Sequence, residues 1–227
     1  MLNFKKWMIS ESKFMQLDKD QQDQIVKIAA EIGRVIRRED IPQTGKKIAE
    51  FERKDGRKPV QIWLTKPTVD GLDSKIAGNY FPYMNLMTIN ANSDTVWSKI
   101  GLIALLSHEM THAIDPKLVK GGKYLSKVPV NYDFNKEKER SSYFKSPEEF
   151  DAYGTSIVTE IKAYPNKQEI ISQLESFLRN NDDKLLKKLS STAGEAINYW
   201  KTKPTLWRKF QQRLFNLLQE LKSEQTA

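Results

Sequence analysis

Apolar residues recur along this chain first with a helical period and then with an alternating one. Over residues 13–38, Ile25, Ile28, Ala29, Ile32 and Ile36 return at intervals of three and four, the spacing of one helical face. The charged stretch "REDIPQTGKKIAEFERKDGRK" that follows reads as a connection with a short helix around Ile48. "PVQIWLT" (59–65) alternates Val60, Ile62 and Leu64 with Gln61, Trp63 and Thr65, which predicts a half-buried strand. Residues 78–90, "GNYFPYMNLMTIN", read as another strand; Pro82 has no amide hydrogen for a ladder and suits an edge or a strand's beginning.

A helix comes next, capped by Ser93 or Asp94 and starting near Thr95. Its Val96, Trp97, Ile100, Leu102, Ile103, Leu105 and Leu106 fall nearly all round the axis, so it belongs in the interior, and Asp115-Pro116 ends it. Residues 117–145 are polar, with Gly121-Gly122 and the run "NKEKER", and predict a long surface loop able to overhang a cleft. Helical spacing resumes over 146–164, in "KQEIISQLESFLRN" and over 204–221. The pattern therefore predicts an α+β fold, predominantly helical, with a small mixed or antiparallel sheet packed on the central helix. We divide it into an N-terminal helical segment (1–54), a core (55–165) and a C-terminal helical segment (166–227), all parts of one compact domain.

Composition narrows the function more than the fold. The 227 residues contain no cysteine, which excludes disulfides and thiolate metal sites. No secretory signal or membrane span is visible, and a cytoplasmic location is expected. Leu2, Phe4, Trp7 and Met8 read as a first helix packed on the body rather than a membrane contact. The net charge of +8 is diffuse, with one cluster at Arg34, Arg37 and Arg38 and another at Lys201, Lys203, Arg208, Lys209 and Arg213. Both read as solvated faces, with nucleic acid or an acidic partner as the alternative.

The only two histidines, His108 and His112, stand four apart in "LLSHEMTHAI", with Glu109 beside the first. Residues four apart on a helix sit about 40° from one another around the axis and one turn up, so both imidazoles reach one ion. Chance placement of this trio in a chain of this length is about one in a thousand. Polar residues that close an apolar helix also need a partner, because burying them unpaired is costly. This is the HExxH arrangement, with two ligands and a base from one helical turn. With no further histidine and no cysteine, a third protein ligand must be a carboxylate.

"HEMTH" resembles the active-site motif of the zincin superfamily of metallopeptidases, and the preceding strands and downstream acidic helix extend the likeness over about 60–165. The resemblance implies a zincin-like core, one Zn2+ per chain, a protein or peptide substrate, and a strand before the active helix, here "YFPYMNLMTIN", lining the cleft. Asp115 and Leu118 stand where metzincins have a glycine and a third histidine, so the gluzincin type is the closer one. Gluzincins carry their third ligand in an ExxA pattern on a second helix, which Glu149-Phe150-Asp151-Ala152 matches; Glu148 and Asp151 are rivals. Ser146-Pro147-Glu148-Glu149 is also a capping box, in which Glu149 would fold back on the Ser146 amide instead. Tyr153 stands where several gluzincins have an acidic or amide residue that orients a histidine; its hydroxyl or Asp115 could take that part.

The implied chemistry is hydrolysis, with Glu109 as general base. Tyr153, Tyr143 or Tyr132 would donate to the developing oxyanion. The reading in another class is a zincin-like binding or structural protein, associated with nucleic acid or an assembly and without peptidase activity. An intact Glu109 speaks against it.

Overall fold

The computed structural model describes residues 17–38, 41, 42, 44–66, 77–93, 96, 98–116, 119, 120, 123, 124, 136–180, 185, 189 and 191–226. Helix α1 (Lys19–Arg38) begins at a reciprocal cap. The Asp18 amide donates to Gln21 Oε1 and the Gln21 amide to Asp18 Oδ1, each at 3.0 Å, which satisfies two amides that have no partner within the helix. The cap places the start at Lys19, inside the predicted 13–38 range. Ile25, Ile28, Ala29, Ile32 and Val35 form its buried face.

Strand β1 (Lys46–Phe51) replaces the expected short helix at Ile48. A register shift between Lys47 and Ala49 interrupts its pairing with β2 (Val60–Thr65), a bulge that spoils the alternation a strand would show in sequence. The segment 78–90 is a hairpin rather than one strand: β3 (Gly78–Phe81) and β4 (Leu86–Asn90) pair antiparallel around the turn 82–85. Pro82 and Asn85, the latter at φ 48°, bracket that turn, and a proline followed by a left-handed asparagine is a turn signal. The sheet order is β1-β2-β4-β3, with β2 and β4 parallel and the other pairs antiparallel. Val60, Ile62, Leu64, Met87 and Ile89 are fully buried on its inner face.

Helix α2 (Lys99–Ile114) lies under the sheet and is apolar all round, as the sequence predicts. Its cap is Ser98, whose Oγ accepts from the Gly101 amide at 3.2 Å; Ser93 belongs to a preceding turn, and Asp94, Thr95 and Trp97 lie outside the described residues. The expected loop 117–145 contains a two-residue antiparallel pair, β5 (Val119–Lys120) and β6 (Lys123–Tyr124), and a helix, α3 (Glu137–Lys145). Glu137 and Glu139 in the first turn of α3 and Lys145 in its last complement the helix dipole. Helices α4 (Pro147–Ala163), α5 (Lys167–Asn180) and α7 (Pro204–Thr226) follow the predicted segments. The sequence reading missed α6 (Ser191–Lys201), although Ala193, Ala196, Ile197 and Trp200 have helical spacing and are buried.

The described chain is α+β and mostly helical, with a small mixed sheet. Buried side chains separate into two clusters. One joins α1, the sheet and α2; the other joins α3 to α7. Helices α2 and α4 pack against each other across the seam, where Ser156 Oγ donates to the Ala104 carbonyl at 2.9 Å. Among the described residues no helix is long and apolar enough to cross a membrane. The N-terminal residues Leu2, Phe4, Trp7 and Met8 lie outside the described residues.

Candidate metal centre

His108 and His112 leave α2 on the side facing α4, and their Nε2 atoms stand 3.2 Å apart. Both are buried. Glu149 enters from the first turn of α4, with its carboxylate oxygens 3.4 Å from His108 Nε2 and 3.5 Å from His112 Nε2. Glu149 divides between cap and histidines. Its backbone amide bonds to Ser146 Oγ at 3.2 Å, while its side chain turns towards the histidines. The Ser146 amide instead donates to the Tyr143 carbonyl at 3.0 Å, so nothing calls the Glu149 carboxylate back.

This group can hold a metal ion. Two ligand atoms each about 2.0–2.1 Å from an ion at the tetrahedral angle lie roughly 3.3–3.4 Å apart. The two imidazole nitrogens, 3.2 Å apart, sit near that figure; each faces a different oxygen of Glu149, Oε2 at 3.4 Å from His108 and Oε1 at 3.5 Å from His112, and one ligand atom from each of the three residues lies within 4.8 Å of the others. Glu149 Oε2 is buried and makes no well-formed hydrogen bond; its nearest polar neighbour is His108 Nε2 at 3.4 Å, an arrangement that leaves room for a cation to serve it. Electrostatics agree on the sign. Burial disfavours charge on His112, yet the Glu149 carboxylate, with Glu109 and Glu148 behind it, pushes its pKa up to about 9. Burial likewise opposes ionisation of Glu149, and the imidazoles of His112 and His108 overcome it and hold its carboxyl well below the usual range. The carboxylates around the two imidazoles therefore favour positive charge at this point, whether carried by a proton or by an ion that displaces it.

The rival carboxylates are placed otherwise. Asp151 points to the C-terminal core, where its Oδ1 accepts from Arg213 Nη2 at 2.7 Å and its carbonyl from Nη1 at 3.0 Å. Arg213, expected in a solvated basic cluster, is 1% exposed and fills the space over Gly154, where a Cβ would come within 1.9 Å of Nη1. Glu148 is buried and close enough for its charge to act on His112, without joining the ligand triangle.

Glu109 is half-buried beside the pair, and its Oε2 accepts from the Tyr80 amide at 3.1 Å. Burial pushes its carboxyl upward against the pull of His108 and His112. Tyr153 is 8% exposed and belongs to the C-terminal core. Its ring meets that of His108 edge-on, with centroids 4.4 Å apart. His108 Nδ1 has no hydrogen-bond partner, so Tyr153 steadies that ring by packing and not by accepting its proton. The half-buried Tyr143 on α3 interacts through its hydroxyl with both Tyr153 and the Glu149 carboxylate; burial and those two neighbours push its pKa well up. Tyr132 lies outside the described residues.

Behind the site, sequence reasoning overlooked Arg53. It is 7% exposed, and its guanidinium donates to Asn85 Oδ1 at 2.8 Å, to the Lys58 carbonyl, and at 3.4 Å to both the Tyr80 hydroxyl and the Ala113 carbonyl. It ties the β3–β4 hairpin to the last turn of α2. No sequence signal marks it, since it stands among charged residues in a loop. No known family model, curated protein or solved structure matches this chain, so the reading of the site rests on its own residues and their geometry.

Proposed function

We propose that this protein is a zinc-dependent peptidase with a zincin-like, gluzincin-type site, in which His108, His112 and Glu149 hold the ion and Glu109 is the general base. The observation that carries the reading is the close group of two imidazoles and one carboxylate, with a second carboxylate, Glu109, standing beside it outside the ligand set. Both ligand types, imidazole and carboxylate, suit zinc. Bound zinc supplies Lewis acidity, lowering the pKa of a water towards neutrality and polarising a carbonyl. Glu109 would take the proton from the attacking water and return it to the leaving amine. Tyr143, whose hydroxyl already faces Glu149, donates to the developing oxyanion, and Tyr153 holds His108 and Tyr143 in place.

The test is zinc per chain by mass spectrometry on wild type, Glu149→Ala and Glu109→Gln, with peptide hydrolysis followed in parallel. We expect about one zinc in wild type and in Glu109→Gln, little in Glu149→Ala, and hydrolysis by wild type alone. Wild type that takes up no zinc defeats the proposal.

A second reading has one observation in its favour. The triangle joins the two hydrophobic cores, so a purely structural ion would serve to staple them. Zinc that raises the melting temperature while no peptide is cleaved would select that reading.

A further inference from the structure

Between Glu195 and Glu220 the chain runs for 24 residues without an acid, yet it carries Lys201, Lys203, Arg208, Lys209 and Arg213. Acids make up 29 of the 227 residues, so a stretch of that length would ordinarily hold about three. The fold then sorts the cations. Arg213 turns inward to Asp151 and is buried, whereas Arg208 is exposed and Lys201, Lys203 and Lys209 are half-buried. These four gather on the corner formed by the end of α6, the turn 202–203 and the first turns of α7.

Aromatic rings are interleaved with the charges. Lys201 Nζ lies 5.7 Å from the centroid of Trp207, and Lys203 Nζ lies 5.7 Å from that of Tyr199. Both rings are half-buried and anchored in the C-terminal core, Trp207 edge-on to Phe177 and Tyr199 stacked on Phe144. The turn between them is fixed, because the Thr202 hydroxyl donates to the Tyr199 carbonyl at 2.7 Å and the Lys203 amide to the Trp200 carbonyl at 2.8 Å. The corner also reaches α3. Ser141 Oγ and the Tyr199 hydroxyl share a hydrogen bond of 2.9 Å, and the exposed Lys145 stands one turn further along that face. Glu137 and Glu139, at the other end of α3, bound the basic surface on that side.

We propose that this corner binds a single-stranded nucleic acid, with phosphates on Lys201, Lys203, Arg208 and Lys209 and bases against Tyr199 and Trp207. Each half of the pattern has its counterpart in that one polymer: repeated negative charge for the cations, flat π-faces for the rings. A duplex keeps its bases stacked inside and offers the rings nothing, and an acidic peptide brings charge without flat rings. A bilayer would call for apolar side chains standing clear of the cations, whereas each of these rings has a lysine over it. Neither zinc nor cleavage enters this proposal, so it stands or falls apart from the peptidase reading.

The experiment titrates the full chain, without added zinc, against a fluorescein-labelled oligothymidylate of about 20 nucleotides and follows anisotropy. We expect micromolar binding at about 50 mM salt that weakens about 50-fold at about 200 mM, the slope for about four phosphates of a single strand. Lys203→Glu/Lys209→Glu should weaken binding at least about ten-fold at an unchanged melting temperature. Arg34→Glu/Arg37→Glu makes the same change of charge in the other basic cluster and should leave binding within about two-fold. If Lys203→Glu/Lys209→Glu lowers the melting temperature, Lys203→Gln/Lys209→Gln takes its place, with a loss of about five-fold expected. Absence of binding up to about 100 µM protein at the lower salt overturns the proposal. Equal losses in the two charge-reversed variants also overturn it, since net charge alone would then be the cause. Binding of a duplex of the same length, or of an oligo-glutamate of the same charge, as tightly as the single strand gives the corner to that polyanion instead.

Discussion

Helices α2 and α4 build the same site from opposite kinds of sequence. Helix α2 is apolar all round, so its His108 and His112 stand out against Leu102, Ile103, Leu106, Met110 and Ala113. Helix α4 is buried nearly as fully, yet its buried residues include Glu148, Glu149, Thr155, Ser156, Thr159 and Glu160. A polar helix between two cores needs neighbours that meet its buried groups, and several of these can be named. Ser156 bonds to α2, Asp151 takes Arg213 of α7, and the Glu149 side chain turns to the histidines. Burial alone therefore does not identify a functional group; the partner each polar group has found does. Glu149 found the two imidazoles of the other half, and its Oε2 faces His108 without forming a good hydrogen bond.

The strongest way to break this contrast is to remove a ligand from each helix. His112→Ala and Glu149→Ala should each reduce bound zinc from about one per chain to near none, whereas Glu109→Gln should retain the ion. In the peptidase assay Glu109→Gln should lose roughly 10²–10⁴-fold in rate, the usual contribution of a general base. Equal zinc loss in all three would place Glu109 among the ligands.

The next effect belongs to α4 alone. Arg213→Met leaves Asp151 without its buried cation and should cost about 3–5 kcal/mol in denaturant unfolding. Asp151→Asn/Arg213→Met should recover part of that loss, since removing both partners leaves no uncompensated charge. Gly154→Ala pushes into the same guanidinium and should destabilise by about 1–3 kcal/mol. A neutral Gly154→Ala would show that Arg213 has another place to go.

The smallest effect sharpens the comparison most. Ser98→Ala and Ser146→Ala remove the caps of α2 and α4, and each should cost about 1 kcal/mol in melting experiments. Only Ser146→Ala should also weaken zinc binding, because Ser146 holds the amide of the ligand residue itself, while Ser98 lies well over a turn from His108.

Much of this was present in the chain as written. The helical period of α1, the alternation of β2 and the all-round apolarity of α2 come from local geometry, and so does the meeting of His108 and His112, which one turn of helix guarantees. Breaks in period hid the rest: the bulge in β1, the turn inside 78–90 and the short α6 each interrupt or shorten the repeat that a sequence reading relies on. For the third ligand the sequence narrowed the choice to Glu148, Glu149 and Asp151, three near neighbours on one helical turn. Their separation required the positions of α2 and α7. Arg213 is 62 residues from Asp151 and draws it away, and the histidines are reached by the Glu149 side chain once Ser146 has taken its amide. What one helix can bring together the sequence determined by itself. What needed two cores to dock, namely which acid meets the histidines, which arginine is buried and which tyrosine faces the site, was decided only when distant segments competed for the same partners in space.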